Sequence, residues 1–240
     1  VKSSRSDAVK VHALIPAAGH SVRFGGTTLK QYAHLLGLPV IAHSIEAVSR
    51  NEHVSAVTVA LAEDDGIFEE LIRPNYPELQ TVTGGASRAQ TVMNGLQAIS
   101  RRDPDCDWVL VHDAARPCLS REALDRLLDQ GLASHSGAIL AVPVNDTLKL
   151  ADDSGRILQT MDRSRCWAAQ TPQLFRLGAL ARNLGAALEA GDLPTDEAAA
   201  MERAGIHPLL VMGASTNIKI TGAEDLSLAE FILQRQSVRE

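Results

Sequence analysis

Between Pro16 and Tyr32 the chain reads Pro-Ala-Ala-Gly-His-Ser-Val-Arg-Phe-Gly-Gly-Thr-Thr-Leu-Lys-Gln-Tyr. Gly19, Gly25 and Gly26 stand among small residues, and Arg23 and Lys30 supply positive charge. Glycines let backbone N–H groups approach a ligand closely, and a polyphosphate needs such donors together with cations. The stretch therefore predicts a phosphate-binding loop. It is not a P-loop, because Leu29-Lys30-Gln31 stands where Gly-Lys-Ser/Thr would be required. A dinucleotide fingerprint fits poorly too, since His20-Ser21 follows Gly19 and no acid falls at the expected interval of about twenty residues. Taken alone, Arg23 and Lys30 also fit two solvated loop cations, which contribute little.

Other groups with chemical potential lie farther along. Gly84-Gly85-x-x-Arg88 is a second glycine pair followed by a cation, and it also fits a plain strand-to-helix turn. His112-Asp113-Ala114-Ala115-Arg116 follows the apolar run Trp108–Val111. Asp113 is thereby expected at the carboxyl end of a strand, where ligands of α/β sheets bind. It could contact a ribose, help to position a metal, or cap the backbone of Ala114–Arg116, whereas His112 reads as structural. Thr195-Asp196-Glu197 is a good helix N-terminal signal, compatible with a binding role as well.

The elements that must carry these groups follow from periodicity. Strand signals at Val11–Ile15, Ser55–Ala62, Thr81–Thr83, Trp108–Val111 and Ala138–Val142 alternate with helical patterns over Pro39–Val48, Glu63–Ile72, Ser87–Ser100 and Glu122–Leu132. This order predicts an α/β fold with a mostly parallel sheet covered by helices on both faces. The rhythm breaks between Val144 and Gln170, where Asp146–Leu150 and Ile157–Asp162 flank the turn signal Asp152-Asp153-Ser154-Gly155. That pattern predicts a protruding hairpin, marginal alone, which packs against a second subunit. Leu174–Phe175 lies near a strand end and helices are expected over Leu177–Ala190 and from Thr195 to Ala204. Leu209–Met212 and Ile218–Ile220 read as late strands, and Glu224–Gln234 as a closing helix.

At 240 residues the chain fits one domain over 10–240 with a poorly ordered tail, 1–9, and an arm at about 144–170. A net charge of −6 offers no basic excess for nucleic acid or an anionic membrane, and 3% aromatic residues leave few platforms for stacking bases. Cys106, Cys118 and Cys166 form no Cys-x-x-Cys pair, so their spacing indicates neither a zinc site nor a disulfide framework. A reducing cytoplasm is the simplest setting. No apolar run approaches the ~18 residues of a membrane helix.

The ordered set Pro16-Ala17-Ala18-Gly19 with Arg23 and Lys30-Gln31-Tyr32, Gly84-Gly85-x-x-Arg88, Val111-His112-Asp113-Ala114-Ala115-Arg116-Pro117, Asp146-Thr147-x-Lys149, Asp162-Arg163, Gln170-Thr171-Pro172-Gln173, Thr195-Asp196-Glu197-Ala198 and Asn217-Ile218-Lys219 spans nearly the whole chain. It resembles the 2-C-methyl-D-erythritol 4-phosphate cytidylyltransferases of the non-mevalonate isoprenoid pathway. The resemblance implies a Rossmann-like three-layer nucleotidyltransferase fold and transfer of CMP from CTP to 2-C-methyl-D-erythritol 4-phosphate, releasing pyrophosphate. It also implies Mg²⁺ bound mainly through the CTP phosphates, and a homodimer with arm exchange.

By the same resemblance, Arg23 and Lys30 stabilise the α-phosphate in the transition state, with Arg163 and Lys219 as further catalytic groups. Ala17, Ala18, Gly19, Gly85, Thr91, Asp113 and Ala114 meet CTP, and Arg116, Thr147 and Thr195 meet the sugar-alcohol phosphate. The chain departs from the family pattern in having Ser21 for a usual glycine, Phe24 for a usual Met and Ala86 for a frequent acid. Rival readings are a ribitol 5-phosphate cytidylyltransferase, which shares the opening loop, and a catalytically silent nucleotide-binding regulator. The cyclase domain fused to some relatives has no counterpart expected within these 240 residues.

Overall fold

Alternate residues of the first strand face opposite sides: Val11, Ala13 and Ile15 join one buried cluster and Leu14 the other. A strand buried on both faces needs helices above and below it, which dictates three layers. The computed structural model describes residues 9–19 and 29–238. Arg23, Ser21 and Phe24, with all of the expected tail except Val9, lie outside the described residues.

In chain order the elements are β1 (Val11–Pro16), β2 (His34–Leu35), β3 (Leu38–Pro39), α1 (Val40–Ser49), β4 (Val54–Leu61), α2 (Ile67–Leu71), β5 (Gln80–Thr83), α3 (Arg88–Arg102), β6 (Trp108–Val111) and α4 (Arg121–Leu132). There follow β7 (Ala138–Pro143), β8 (Lys149–Ala151), β9 (Ile157–Thr160), β10 (Trp167–Arg176), α5 (Leu177–Glu189), α6 (Glu197–Arg203), β11 (Leu209–Met212) and α7 (Glu224–Ser237). Seven strands form the main sheet in the order β11-β7-β10-β6-β1-β4-β5. All neighbours are parallel except β10, which runs antiparallel to both β6 and β7.

Helices α1 and α4 cover one face through Ile41, Ile45, Val48, Leu124, Leu127 and Leu128. Helices α3, α5 and α6 cover the other through Val92, Leu96, Leu180, Leu184 and Met201. Gly95 of α3 sits directly over Leu14 of β1, and a Cβ there would run into the Leu14 side chain. The glycine thus permits the close approach of the helix that carries Arg88 and Thr91.

Besides the unforeseen hairpin β2–β3, expected and observed elements differ chiefly in four places. The helix expected over 63–72 is only Ile67–Leu71, because Asp65 turns the chain just ahead of it, Oδ1 accepting from the N–H groups of Ile67 and Phe68. Leu174 and Phe175 belong to a ten-residue strand that begins at Trp167, and its first residues pair with β7 inside the stretch assigned to the arm. Asp196, not Thr195, caps α6, its Oδ1 accepting from Ala199 N at 2.9 Å. Ile218–Ile220 is not a strand; Ile220 N–H is drawn to the carbonyl of Ala115 at 2.8 Å, so the segment is held as a clamp over the loop after β6.

Among the described residues, strands β8 and β9 pair only with each other, in a separate two-stranded ribbon. Its turn is organised by Asp152, whose Oδ1 accepts from the N–H groups of Ser154 and Arg156, and Gly155 takes a φ of +78°. Leu150, Ile157, Leu158 and Met161 are exposed on this ribbon.

Candidate active site

The carboxyl ends of β1, β4, β5 and β6 open into a cleft of about 730 Å³. One wall is the start of the glycine loop: Ala17, Ala18 and Gly19 follow β1, and Ala17 N–H is anchored on the Ala60 carbonyl at 2.7 Å. Lys30 returns to the same cleft, and its neighbour Gln31 donates through Nε2 to the carbonyl of Ala17 at 3.1 Å, tying the two ends of the loop together.

The opposite wall is the turn from β5 into α3. Ser87 caps α3 by accepting from Gln90 N at 3.1 Å. Thr91 Oγ1 accepts from Gly85 N–H at 3.0 Å, which fixes the turn's outline. A Cβ on Gly84 would lie 2.5 Å from the Ala18 Cβ, so the two walls can meet only because this residue has no side chain.

The floor carries the charge. Asp113, 7% exposed, receives Lys219 Nζ on Oδ2 at 2.8 Å, with Arg116 Nε at 3.6 Å from the same oxygen. Its Oδ1 accepts from Arg88 Nη2 at 3.1 Å and Nε at 3.2 Å. Burial opposes ionisation of Asp113, but Arg88, Lys219 and Arg116 outweigh it and hold the carboxyl well below the usual carboxylate range. Arg88 also grips Glu197, Nη1 to Oε1 at 2.7 Å and Nη2 to Oε2 at 3.2 Å. Burial pushes the Glu197 carboxyl upward, against the pull of Arg88.

Behind the floor, polar groups are closely matched. Asp113 N–H donates to Thr171 Oγ1 at 3.0 Å, and that hydroxyl lies 3.2 Å from His112 Nδ1. His112 Nε2 is 3.0 Å from the carbonyl of Arg116. The imidazole is fully buried, and burial lowers its pKa to about 4, so it stays neutral and structural. Arg116 Nη1 donates to the Asn217 carbonyl at 2.7 Å, and Asn217 Nδ2 to the Thr171 carbonyl at 2.9 Å. Lys219 is therefore delivered to Asp113 by a segment pinned on both sides.

The structure gathers Ala17, Ala18, Gly19, Lys30, Gly85, Thr91, Asp113, Ala114 and Lys219 around one cleft. Arg116 stands behind Asp113. Thr195 is exposed beside α6, joined to the floor through Gln173, whose Nε2 donates to Asp196 Oδ2 and whose Oε1 accepts from Ala198 N, both at 2.9 Å. Thr147 and Arg163 are exposed outside the cleft, and Arg163 reaches the Val144 carbonyl at 3.5 Å. Sequence reading gave no role to Arg88 or Glu197. The signal for Arg88 was its place in the glycine-pair motif; that for Glu197 was masked by the helix-start chemistry of its neighbours.

Residues 11–235 match the family model described as 2-C-methyl-D-erythritol 4-phosphate cytidylyltransferase. The chain belongs to that family. The curated 2-C-methyl-D-erythritol 4-phosphate cytidylyltransferase of Tolumonas auensis is 44% identical to it over 94% of this chain and 97% of the relative. A crystal structure of a 4-diphosphocytidyl-2C-methyl-D-erythritol synthase superposes with a TM-score of 0.82 at 39% identity, covering 93% of this chain and 98% of that one. The Francisella tularensis 2-C-methyl-D-erythritol 4-phosphate cytidylyltransferase gives 0.78 at 35% identity, over 93% and 99%. As a cytidylyltransferase of this family, the chain is a nucleotidyltransferase enzyme that converts CTP and 2-C-methyl-D-erythritol 4-phosphate to 4-diphosphocytidyl-2-C-methyl-D-erythritol. A ribitol 5-phosphate enzyme or a silent regulator is not favoured. Among the described residues no helix is long and apolar enough to cross a membrane.

Proposed function

We propose that the cleft binds CTP between the glycine loop and the Gly84-Gly85 turn, and that Asp113 with its three cations carries the join between the two substrates. The observation that supports this most directly is the convergence of Lys30, Lys219, Arg88 and Asp113 on one cleft beside a glycine turn too tight for a side chain. Gly85 and Thr91 lie where the cytosine edge is met, Ala17, Ala18 and Gly19 where backbone N–H groups face the triphosphate, and Asp113 with Ala114 where the ribose rests.

A phosphate oxygen of the sugar alcohol attacks the α-phosphorus of CTP; the new P–O bond forms as the bond to the β-phosphate breaks, and pyrophosphate leaves. Both reactants are anions, so the protein's work is charge neutralisation and alignment, without a protein nucleophile. Lys30, with Arg23 from the loop, stabilises the crowded α-phosphate. Arg116, Lys219 and Thr195 hold the second phosphate from the protomer's own side.

Mg²⁺ fits as a passenger of the triphosphate. Asp113 is the buried carboxylate at the cleft, and both its oxygens already face cations. Magnesium commonly keeps water and phosphate oxygens in preference to an all-protein cage, so Asp113 would meet it only through those ligands, and Mg²⁺ carried by CTP would supply countercharge.

Thr147 and Arg163 complete the site of a partner subunit in a homodimer with exchanged arms. The isolated ribbon β8–β9 supports this reading, since Ile157 is 64% and Leu158 62% exposed on an element too small to be stable alone. The free cysteines suit the cytoplasm.

The deciding experiment compares pyrophosphate release from CTP with 2-C-methyl-D-erythritol 4-phosphate and with ribitol 5-phosphate, with and without Mg²⁺. The expected result is Mg²⁺-dependent turnover of the former, lowered by ~10²–10³ in kcat in Lys30→Ala, the usual loss for one transition-state donor. Faster turnover of ribitol 5-phosphate, or CTP binding without turnover, would overturn the assignment.

A further inference from the structure

The amino ends of β1 and β6 lie at the end of the strands opposite the cleft, and there a second group of potential ligands is assembled. His12 is the second residue of β1, Asp103 caps the carboxyl end of α3, and Cys106 stands just before β6. A ring nitrogen of His12, a carboxylate oxygen of Asp103 and Cys106 Sγ all lie within 4.8 Å of one another. His12 and Cys106 are 1% and 6% exposed.

One ring nitrogen of His12 is engaged: Nε2 lies 2.8 Å from Thr58 Oγ1, a hydroxyl that also reaches Gln80 Oε1 at 3.4 Å. In the tautomer with the ring proton on Nε2, Nδ1 presents a bare lone pair. That Nδ1 is buried and has no hydrogen-bond partner among the described residues. Burial also lowers the His12 pKa to about 4, so the ring is neutral at physiological pH. An orphaned acceptor of this kind costs free energy unless something occupies it, and a ring fixed by a second-shell bond at its other nitrogen is the usual condition of a metal-bound histidine.

We propose that His12 Nδ1, Asp103 and Cys106 bind a zinc ion as a structural staple between β1 and the α3–β6 connection. Imidazole, thiolate and carboxylate are the donor types zinc takes, and three protein ligands with one water complete a tetrahedron. One thiolate and one carboxylate balance the ion's two positive charges. The helix α3 directs its negative dipole end at the site, which favours a cation there, while Asp103 is only partly buried and gives the ion a way in. On binding, the Cys106 thiol loses its proton to solvent and exchanges its hydrogen bond to the Trp108 carbonyl, 3.2 Å in length, for the metal. Cysteine spacing alone gives no hint of this site, because the parallel pairing of β1 with β6 is what brings His12 and Cys106 together.

The test uses the full chain after treatment with a chelator. Titration with Co²⁺ should produce a thiolate-to-cobalt charge-transfer band in the near ultraviolet that saturates at one equivalent. Cys106→Ser should abolish it, whereas Cys118→Ser and Cys166→Ser should not. Zn²⁺ should raise Tm in the parent chain, and this rise should be lost in Asp103→Asn, a partly exposed position that keeps the test available if the Cys106 variant folds poorly. Absence of the band, its persistence in Cys106→Ser, or an undiminished Zn²⁺-induced rise in Tm in Asp103→Asn would overturn the proposal. None of these readouts depends on the transferase reaction.

Discussion

Arg88 holds Glu197 with both terminal nitrogens, at 2.7 and 3.2 Å, while the same guanidinium reaches Asp113 at 3.1 Å. One side chain therefore joins the buried carboxylate of the cleft to the first turn of α6, next to Thr195. Glu197 is 2% exposed, so its charge depends on this partner. Removing the cation from a buried pair leaves an uncompensated charge and commonly costs ~3–5 kcal/mol. Arg88→Met should lower the free energy of urea unfolding by an amount in that range, and Arg88→Lys should fall between, since an ammonium cannot make the forked contact. In Arg88→Met/Glu197→Gln, stability should recover in part because no buried charge is stranded. Activity should not recover, because Asp113 still lacks one of its cations. Additive losses of stability in the double variant would show that the pair is not coupled.

Sharing of sites between subunits makes a separate prediction. In a heterodimer of Lys30→Ala and Arg163→Ala chains, one site carries both defects and the other carries neither. Random exchange makes half of the dimers mixed, so the mixture should recover about one quarter of parental activity by two-fold symmetry. Verified heterodimers with no recovery would place Arg163 in the site of its own chain.

Much of this architecture is legible from local pattern. The apolar runs of β1, β6 and β7 and the serine caps of α3 and α4 are set by neighbouring residues, and each forms where periodicity puts it. Strand β10 is different: Gln170, Thr171 and Gln173 interrupt its apolar pattern because they turn toward Ala214, His112 and Asp196, partners supplied by distant segments. Lys219 shows the same limit. Its segment alternates like a strand, yet its backbone is claimed by Ala115. The cleft residues were legible as motifs, while the ion-pair geometry that links them spans 109 positions between Arg88 and Glu197 and leaves no local trace.

His112 makes stability depend on pH. The unfolded imidazole takes up a proton below about 6.5, whereas the buried ring does so only below about 4. Between these values the unfolded chain binds more protons, so stability falls as pH is lowered through that window. The difference corresponds to about 3 kcal/mol when the window has been crossed. His12 acts in the same direction; Glu197, whose carboxyl is raised, acts against both in the lower part of the window. Asp113, held low, adds its own loss only below the normal carboxylate range. Urea midpoints measured from pH 7 to 4.5 should decline less steeply in His112→Gln than in the parent. Equal slopes would mean that His112 takes up its proton as readily in the folded protein as in the unfolded chain.

The contact of Gly95 with Leu14 sets the distance between α3 and the sheet, and hence the width of the cleft on the Gly84-Gly85 side. A methyl group at position 95 would run into the Leu14 side chain, which is itself fully buried. The helix propensity of alanine would favour Gly95→Ala by ~1 kcal/mol, but overpacking in a closed core typically costs ~1–3 kcal/mol. Because Leu14 is walled in by β4, β6 and α3, the steric cost should prevail and the variant should melt below the parent. The displaced helix would also draw Thr91 and Arg88 away from Gly85 and Asp113, so KM for CTP should rise together with the loss of stability. A variant that melts higher with unchanged KM would show that Leu14 has space to rotate and that α3 is not held in place by this contact.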